Sequence, residues 1–229
     1  MTETGRILAD RDEPRQITTR AFGRPWGGLE ARVVDDKEQP VPPDTEGELL
    51  VRWGGAEGSR HGFFSGYLKN AQATDEAWRG GWFHTGDIVK QASDGMLYFV
   101  DRKKNIIRRS GENIAGAEVE ACLQLHPGVA QVAVLAVRDE LREEEVMACV
   151  VPRKDSPANR GLAEALQAWC LERLAYFKAP GWVLFLEGLP TTATQKVQKA
   201  QIFPAGEDPR HRPGAFDLRS GKKRRVRAS

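Results

Sequence analysis

Residues 101–120 read DRKKNIIRRSGENIAGAEVE, and the texture of the chain changes across them. A charged stretch, Asp101-Arg102-Lys103-Lys104-Asn105, gives way to a short apolar strand, IIRR, and a turn at Ser110-Gly111. A helix whose apolar positions are Val119, Leu123 and Leu125 then follows Gly116. A charged run between two apolar segments is a natural linker, so a boundary between two domains is expected here.

Before this stretch the chain reads as β material. ITTRAFG (17–23), LEARVVDD (29–36) and GELLVRW (47–53) are short strands separated by Pro and Gly clusters such as EQPVPPDTEG. Residues 54–81 read as loop with one weak helical stretch, and WFHTGDIVKQ (82–91) and MLYFVDR (96–102) form a hairpin pair around Ser93-Asp94-Gly95. After it, strands interleave with helices. VAQVAVLAV (129–137), EVMACVV (145–151) and WVLFLE (182–187) read as strands, while RGLAEALQAWCLERL (160–174) places Leu162, Leu166, Trp169, Cys170 and Leu174 on one helical face. The expected fold is α+β, an antiparallel β-rich part over 1–103 followed by a small α+β domain over 104–206.

At 229 residues, 40% of them hydrophobic, the chain can bury a core, and no run approaches the ~18 apolar residues of a membrane span. The first twenty residues are too charged for a signal peptide, which points to a cytoplasmic protein. Cys122, Cys149 and Cys170 are odd in number, widely spaced and set in apolar stretches, so they suggest neither a disulfide framework nor a metal cluster. The net charge of +2 hides an asymmetry, because residues 209–229 hold eight Lys/Arg against one acid. Poor in aliphatic residues, positions 207–229 read as a basic, disordered tail. A solvated tail is the simpler reading; a nucleic-acid or anionic-surface contact is the other.

Polar groups are densest in WFHTGD (82–87), in residues 101–120 and in LPTTATQKVQK (189–199). Together with the opening MTETG and with GELLVR (47–52) and GYL (66–68), these segments resemble, in order and spacing, the carboxy-terminal motifs of the acyl-adenylate-forming superfamily. That superfamily includes acyl-CoA synthetases, peptide synthetase adenylation domains and luciferases. The resemblance covers residues 1 to about 204, and the TQKVQK form is similar to carnitine- and fatty-acid-CoA ligase-like members.

The resemblance implies roles that suit the residue types. Thr2 would lie near the phosphates of ATP and Glu3 would hold Mg²⁺, a hard cation that prefers carboxylate oxygens; taken alone, Glu3 is a terminal charge. Asp87 would accept hydrogen bonds from both ribose hydroxyls, since one carboxylate has lone pairs for a vicinal diol; taken alone it is an Asx turn after a strand. Arg102 would be a second nucleotide contact and Lys104 the hinge about which the small domain turns. Ser110 and Gly111 would line the tunnel for the pantetheine arm of coenzyme A, although SGEN is also an ordinary turn before a helix. Lys196 would enter the site during adenylation and stabilise charge on the α-phosphate and leaving pyrophosphate. Glu118 and Glu120 are read as structural.

Two positions depart from the family pattern. Gln195 stands where a Gly usually precedes the lysine, so a different loop geometry is expected, and Arg142 stands where many members have Gly. The family's upstream phosphate loop and deep acyl pocket have no counterpart in the sequence, which reads as a carboxy-terminal fragment of an ATP-dependent acyl-CoA synthetase with little activity alone. A small carboxylic acid, ATP and CoA are the implied partners. The alternatives are a non-catalytic interaction module and an adenylation domain loading a carrier-protein thiol.

Overall fold

The computed structural model describes residues 3, 4, 8–10, 15, 16, 19–54, 60 and 62–222. The chain divides into two compact units, Met1–Lys104 and Asn105–Ser229.

The first unit is an antiparallel sheet. Its strands are β1 (Leu8–Ala9), β2 (Ala21–Pro25), β3 (Leu29–Val34) and β4 (Glu46–Trp53), then, after the short helix α1 (Ala71–Ala77), β5 (Phe83–Gln91) and β6 (Leu97–Arg102). They lie in the order β1-β2-β6-β5-β4-β3. Alternation decides the two faces. Leu49 and Val51 of β4 join Leu29, Val33, Phe83, Val89 and Leu97 in the core beneath Trp78, and each such buried side chain contributes about 1.5–3 kcal/mol. Leu50 points the other way, to Val34 and Trp82. There the guanidinium carbons of Arg32 and Arg52 each stand 4.3 Å from the Trp82 ring centroid, covering an aromatic face with cations.

The second unit opens with β7 (Ile106–Arg109) and β8 (Glu112–Ala115), then α2 (Gly116–Gln124), β9 (Val129–Asp139), β10 (Glu143–Pro152), α3 (Arg160–Arg173), β11 (Trp182–Phe185) and β12 (Ala215–Asp217). β10 is the central strand, antiparallel to β9 and parallel to β11. Being covered on both sides, it needs apolar residues at successive positions rather than alternate ones. Val146, Ala148 and Val150 face α2 and α3, packing with Val119, Leu123, Leu166 and Cys170. Met147 and Cys149 face the opposite layer, where Leu189 and Val197 lie. All three cysteines are free and buried.

Three expectations are corrected. Residues 112–115, read as a turn running into a helix, form β8, because the two-residue turn Ser110-Gly111 sends the chain straight back along β7. Leu125 is 74% exposed, since α2 ends at Gln124 and the residue sits past its last turn. Residues 207–222 are not a disordered tail but belong to the second unit: β12 pairs antiparallel with β11, Phe216 meets Phe185 at 5.9 Å between ring centroids, and Leu218 is 4% exposed. Composition does not reveal this, because each of two basic residues joins a neighbouring acid to one some 70–80 positions away. Arg210 pairs with Glu140 and Asp208, and Arg219 with Asp139 and Asp217. Residues 223–229 of that segment lie outside the described residues.

Among the described residues no helix is long and apolar enough to cross a membrane.

Candidate functional site

Thr85, Gly86 and Asp87 sit at an irregularity in β5. The β4–β5 register shifts between Glu48 and Leu50, so three residues of β5 oppose Leu49 alone. Such a bulge bends the strand and re-aims its side chains. Gly86 takes φ +66°, which favours a glycine for conformation rather than for room, since a Cβ there would meet nothing within 4 Å. The Thr85 hydroxyl closes the bulge from both sides, donating to the Leu49 carbonyl at 2.7 Å and accepting from the Asp87 amide at 3.1 Å.

Asp87 is thereby held at 8% exposure, directly across the ladder from Arg102 of β6. Arg102 Nε lies 2.9 Å from Asp87 Oδ1, yet that buried oxygen accepts no hydrogen bond. The cation is close enough for an ion pair, but its N–H is not aimed at the oxygen. Arg102 instead donates from Nη1 to the Thr85 carbonyl at 3.3 Å. Burial raises the Asp87 pKa above the ordinary carboxylate value, a shift Arg102 opposes and Glu3 and Glu48 reinforce. A buried carboxylate oxygen without a donor is an acceptor awaiting one.

Glu3 lies beside this acceptor. Its carbonyl accepts from the Phe64 amide at 2.7 Å, and its carboxylate hydrogen-bonds the Tyr67 hydroxyl, whose pKa is raised first by burial and then by that negative charge. In the sequence only its place in GYL (66–68) marks Tyr67 as a functional candidate. Thr2 lies outside the described residues. For Mg²⁺, Glu3 fits the mode in which one or two carboxylates share the ion with phosphate oxygens, and no cluster of three or more His, Cys, Asp or Glu suited to a metal occurs among the described residues.

Lys103 and Lys104 differ. Lys103 Nζ donates to the buried Glu48 carboxylate at 2.8 Å, on which His84 Nδ1 (3.5 Å) and Arg79 Nη2 (3.8 Å) also converge. Lys104 is exposed, and the division between the two units follows it. The residue before the boundary is tied down by an ion cluster.

In the second unit, Ser110 (φ +50°) and Gly111 (φ +81°) make a two-residue hairpin turn in which both positions are left-handed. A Cβ on Gly111 would meet nothing within 4 Å, so the space beside it is open. Lys196 is exposed on a separate hairpin, where Thr191 bridges Val197 and the Lys196 carbonyl accepts from the Thr192 amide at 2.9 Å. Gln195 there takes φ +65°. The residue has adopted the conformation a glycine would take, at a strain of about 1–2 kcal/mol. Glu118 and Glu120, read as structural, pair with Lys178 and Lys199 at 2.7 Å each.

The structure therefore brings Glu3, Asp87 and Arg102 together in the first unit, and places Ser110-Gly111 and Lys196 on two loops of the second.

Comparison with known proteins gives these positions a context. The family described as AMP-binding enzyme C-terminal domain matches residues 118–196. The chain is 37% identical over 204 residues to a crotonobetaine/carnitine–CoA ligase of Proteus mirabilis, covering 88% of this chain and 38% of that protein. It is 33% identical over 201 residues to an oxalate–CoA ligase of Arabidopsis thaliana, covering 87% of this chain and 37% of that protein. Among solved structures, ATP-bound MatB from Rhodopseudomonas palustris superposes with a TM-score of 0.71 at 28% identity, over 87% of this chain and 38% of that one. The chain thus spans less than two fifths of the length of these relatives.

Proposed function

Because this chain belongs to the acyl-adenylate-forming superfamily, matching the carboxy-terminal part of its CoA ligases, we propose that it supplies the ribose contact, the mobile lysine and the thiol-acceptor turn of an ATP-dependent acyl-CoA synthetase. In the first half-reaction a carboxylate oxygen attacks the α-phosphorus of ATP, and the bond to pyrophosphate breaks. In the second, the thiol of CoA attacks the acyl carbon, loses its proton and displaces AMP. Asp87 accepts from the ribose hydroxyls, Arg102 adds a fixed cation beside the nucleotide, and Glu3 would hold Mg²⁺, which would offset phosphate charge. Lys196, an exposed ammonium on a short loop, suits charge that moves between phosphate oxygens. Lys104 is the hinge, with Lys103 anchoring its near side.

The observation that carries this reading is Asp87 Oδ1, buried, ion-paired and without a hydrogen bond. Calorimetric titration of the full chain with AMP and with its 2′,3′-dideoxy analogue tests it. Hydrogen bonds to a charged group contribute about 1.5–3 kcal/mol, so loss of the ribose hydroxyls should weaken binding by ~10-fold or more, and Asp87→Ala, which leaves no acceptor, should abolish the difference between the two ligands. Equal affinity of wild type for both would overturn the assignment.

A further inference from the structure

We propose that the segment 207–222 positions the Ser110-Gly111 turn through a buried chain of charges running from Lys222 through Glu145 to Arg109. This rests on reading the turn as the thiol-acceptor element. Arg109, the residue immediately before the turn, is 3% exposed, Glu145 of β10 is 0% exposed and Lys222 is 8% exposed. Arg109 Nε donates to Glu145 Oε2 at 2.9 Å, and Lys222 Nζ donates to Glu145 Oε1 at 2.5 Å. Two further hydrogen bonds support the chain: the Val146 amide donates to Glu145 Oε1 at 2.8 Å, and Lys222 Nζ donates to the Phe177 carbonyl at 2.9 Å.

Buried Ile107 and Ile114 anchor the hairpin in the core, and the exposed turn lies beyond them. β7 and β8 are four residues each, and β7 meets β10 in the single pair Arg109↔Glu143. What fixes it is the stretch 142–145: the Ser110 amide donates to the Arg142 carbonyl at 3.1 Å, the Arg108 amide to Glu144 Oε2 at 2.7 Å, and Arg109 reaches Glu145. Lys222 clamps the far side of that same carboxylate.

The segment is fastened so that Lys222 can reach. The Leu218 amide donates to the Gly181 carbonyl at 2.8 Å, and buried Gln167 donates from Nε2 to the Leu218 and Pro180 carbonyls at 2.7 and 2.8 Å. Gly181 is required by close approach, since a Cβ there would lie 2.5 Å from Cγ and Cδ of Glu145. Two cations on one buried carboxylate are a poor way to fill space, because apolar side chains of similar volume would avoid the desolvation. They are a good way to hold an orientation. Residues 207–222 also lie outside the 118–196 family match.

Residue-resolved amide exchange on the full chain tests the coupling, with Lys222→Met, Lys222→Arg and, as a control within the segment, Arg210→Ala. In Lys222→Met, exchange at residues 108–112 should rise ~10-fold or more while the β10 core amides change far less. Lys222→Arg should bring it back to within about threefold of wild type, and Arg210→Ala should leave it unaltered. A turn unaffected by Lys222→Met, or one that loosens in the same ratio as the β10 core, overturns the proposal. Should Lys222→Met not fold, Lys222→Gln, which keeps the Arg109–Glu145 pair, is read against the same outcomes. Desulfo-CoA should slow exchange at Ser110 and Gly111 in wild type and slow it less in Lys222→Met. No slowing in wild type would refute the acceptor reading of the turn, while the coupling is still decided by the unliganded protein.

Discussion

Lys222→Met should change how the stability of the second unit depends on pH. Lys222 and Arg109 share the fully buried Glu145, which leaves one surplus positive charge away from water. Burial pushes the Lys222 ammonium down from 10.5 to about 8, against the attraction of Glu145 and with added repulsion from Arg109 and Arg142. A lysine whose folded pKa is lowered binds fewer protons in the folded than in the unfolded chain between those two values. Its charge therefore opposes folding below about pH 8, and that cost fades as pH climbs toward 10.5. Between pH 7 and pH 10 the wild type should gain about 2–3 kcal/mol relative to the Met variant, which carries no such proton and leaves Arg109 and Glu145 as a neutral pair. Cys122, Cys149 and Cys170 all lie buried in the second unit, so thiol labelling across a urea series reports the opening of that unit alone. Comparing the two chains at each pH cancels the intrinsic reactivity of the thiols. A wild-type advantage that stays flat from pH 7 to 10, or shrinks, would refute the buried-cation account.

Gly181→Ala should destabilise the same unit by about 1–3 kcal/mol, because the new methyl would overlap Glu145; a neutral result in the thiol-labelling assay would mean that Glu145 has room to move. At the Lys196 hairpin, Gln195 sits at φ +65°, so protection of its amide, which donates to the Thr192 carbonyl, should rank Gly above Gln above Val at position 195. Val ranking above Gly would show that the backbone there is not strained. Since burial raises the Asp87 pKa above 3.8, affinity for AMP should begin to fall on acidification at a higher pH than an ordinary aspartate would impose; calorimetry showing no loss until below 3.8 would contradict it.

Much of the fold was legible because its signals are local. Alternating residues in 29–34, the Ser93-Asp94-Gly95 turn, the i, i+4 face of Leu166 and Cys170 and the uninterrupted apolar run of β10 each announce an element within a few residues. The Thr85-Gly86-Asp87 group was legible only as a turn, since the bulge it forms depends on the Leu49 carbonyl of the neighbouring strand. Gln195 shows the limit of such reasoning: its residue type disfavours positive φ, yet within the hairpin it takes φ +65°. The segment 207–222 shows it more sharply, since its net positive charge argued for solvation.

What the sequence by itself determined was the alternation of elements, the boundary near Lys104 and the chemistry available at Asp87, Arg102 and Lys196. Tertiary structure alone decided that Asp87 would be buried without a hydrogen-bond donor, that Tyr67 would meet Glu3, and that Lys222 would reach back 77 positions to a carboxylate shared with Arg109. The reason is physical. Periodicity and turn chemistry act between neighbours along the chain, whereas desolvation and charge pairing depend on which strands lie side by side, and only the assembled sheet brings Arg109, Glu145 and Lys222 within reach of one another.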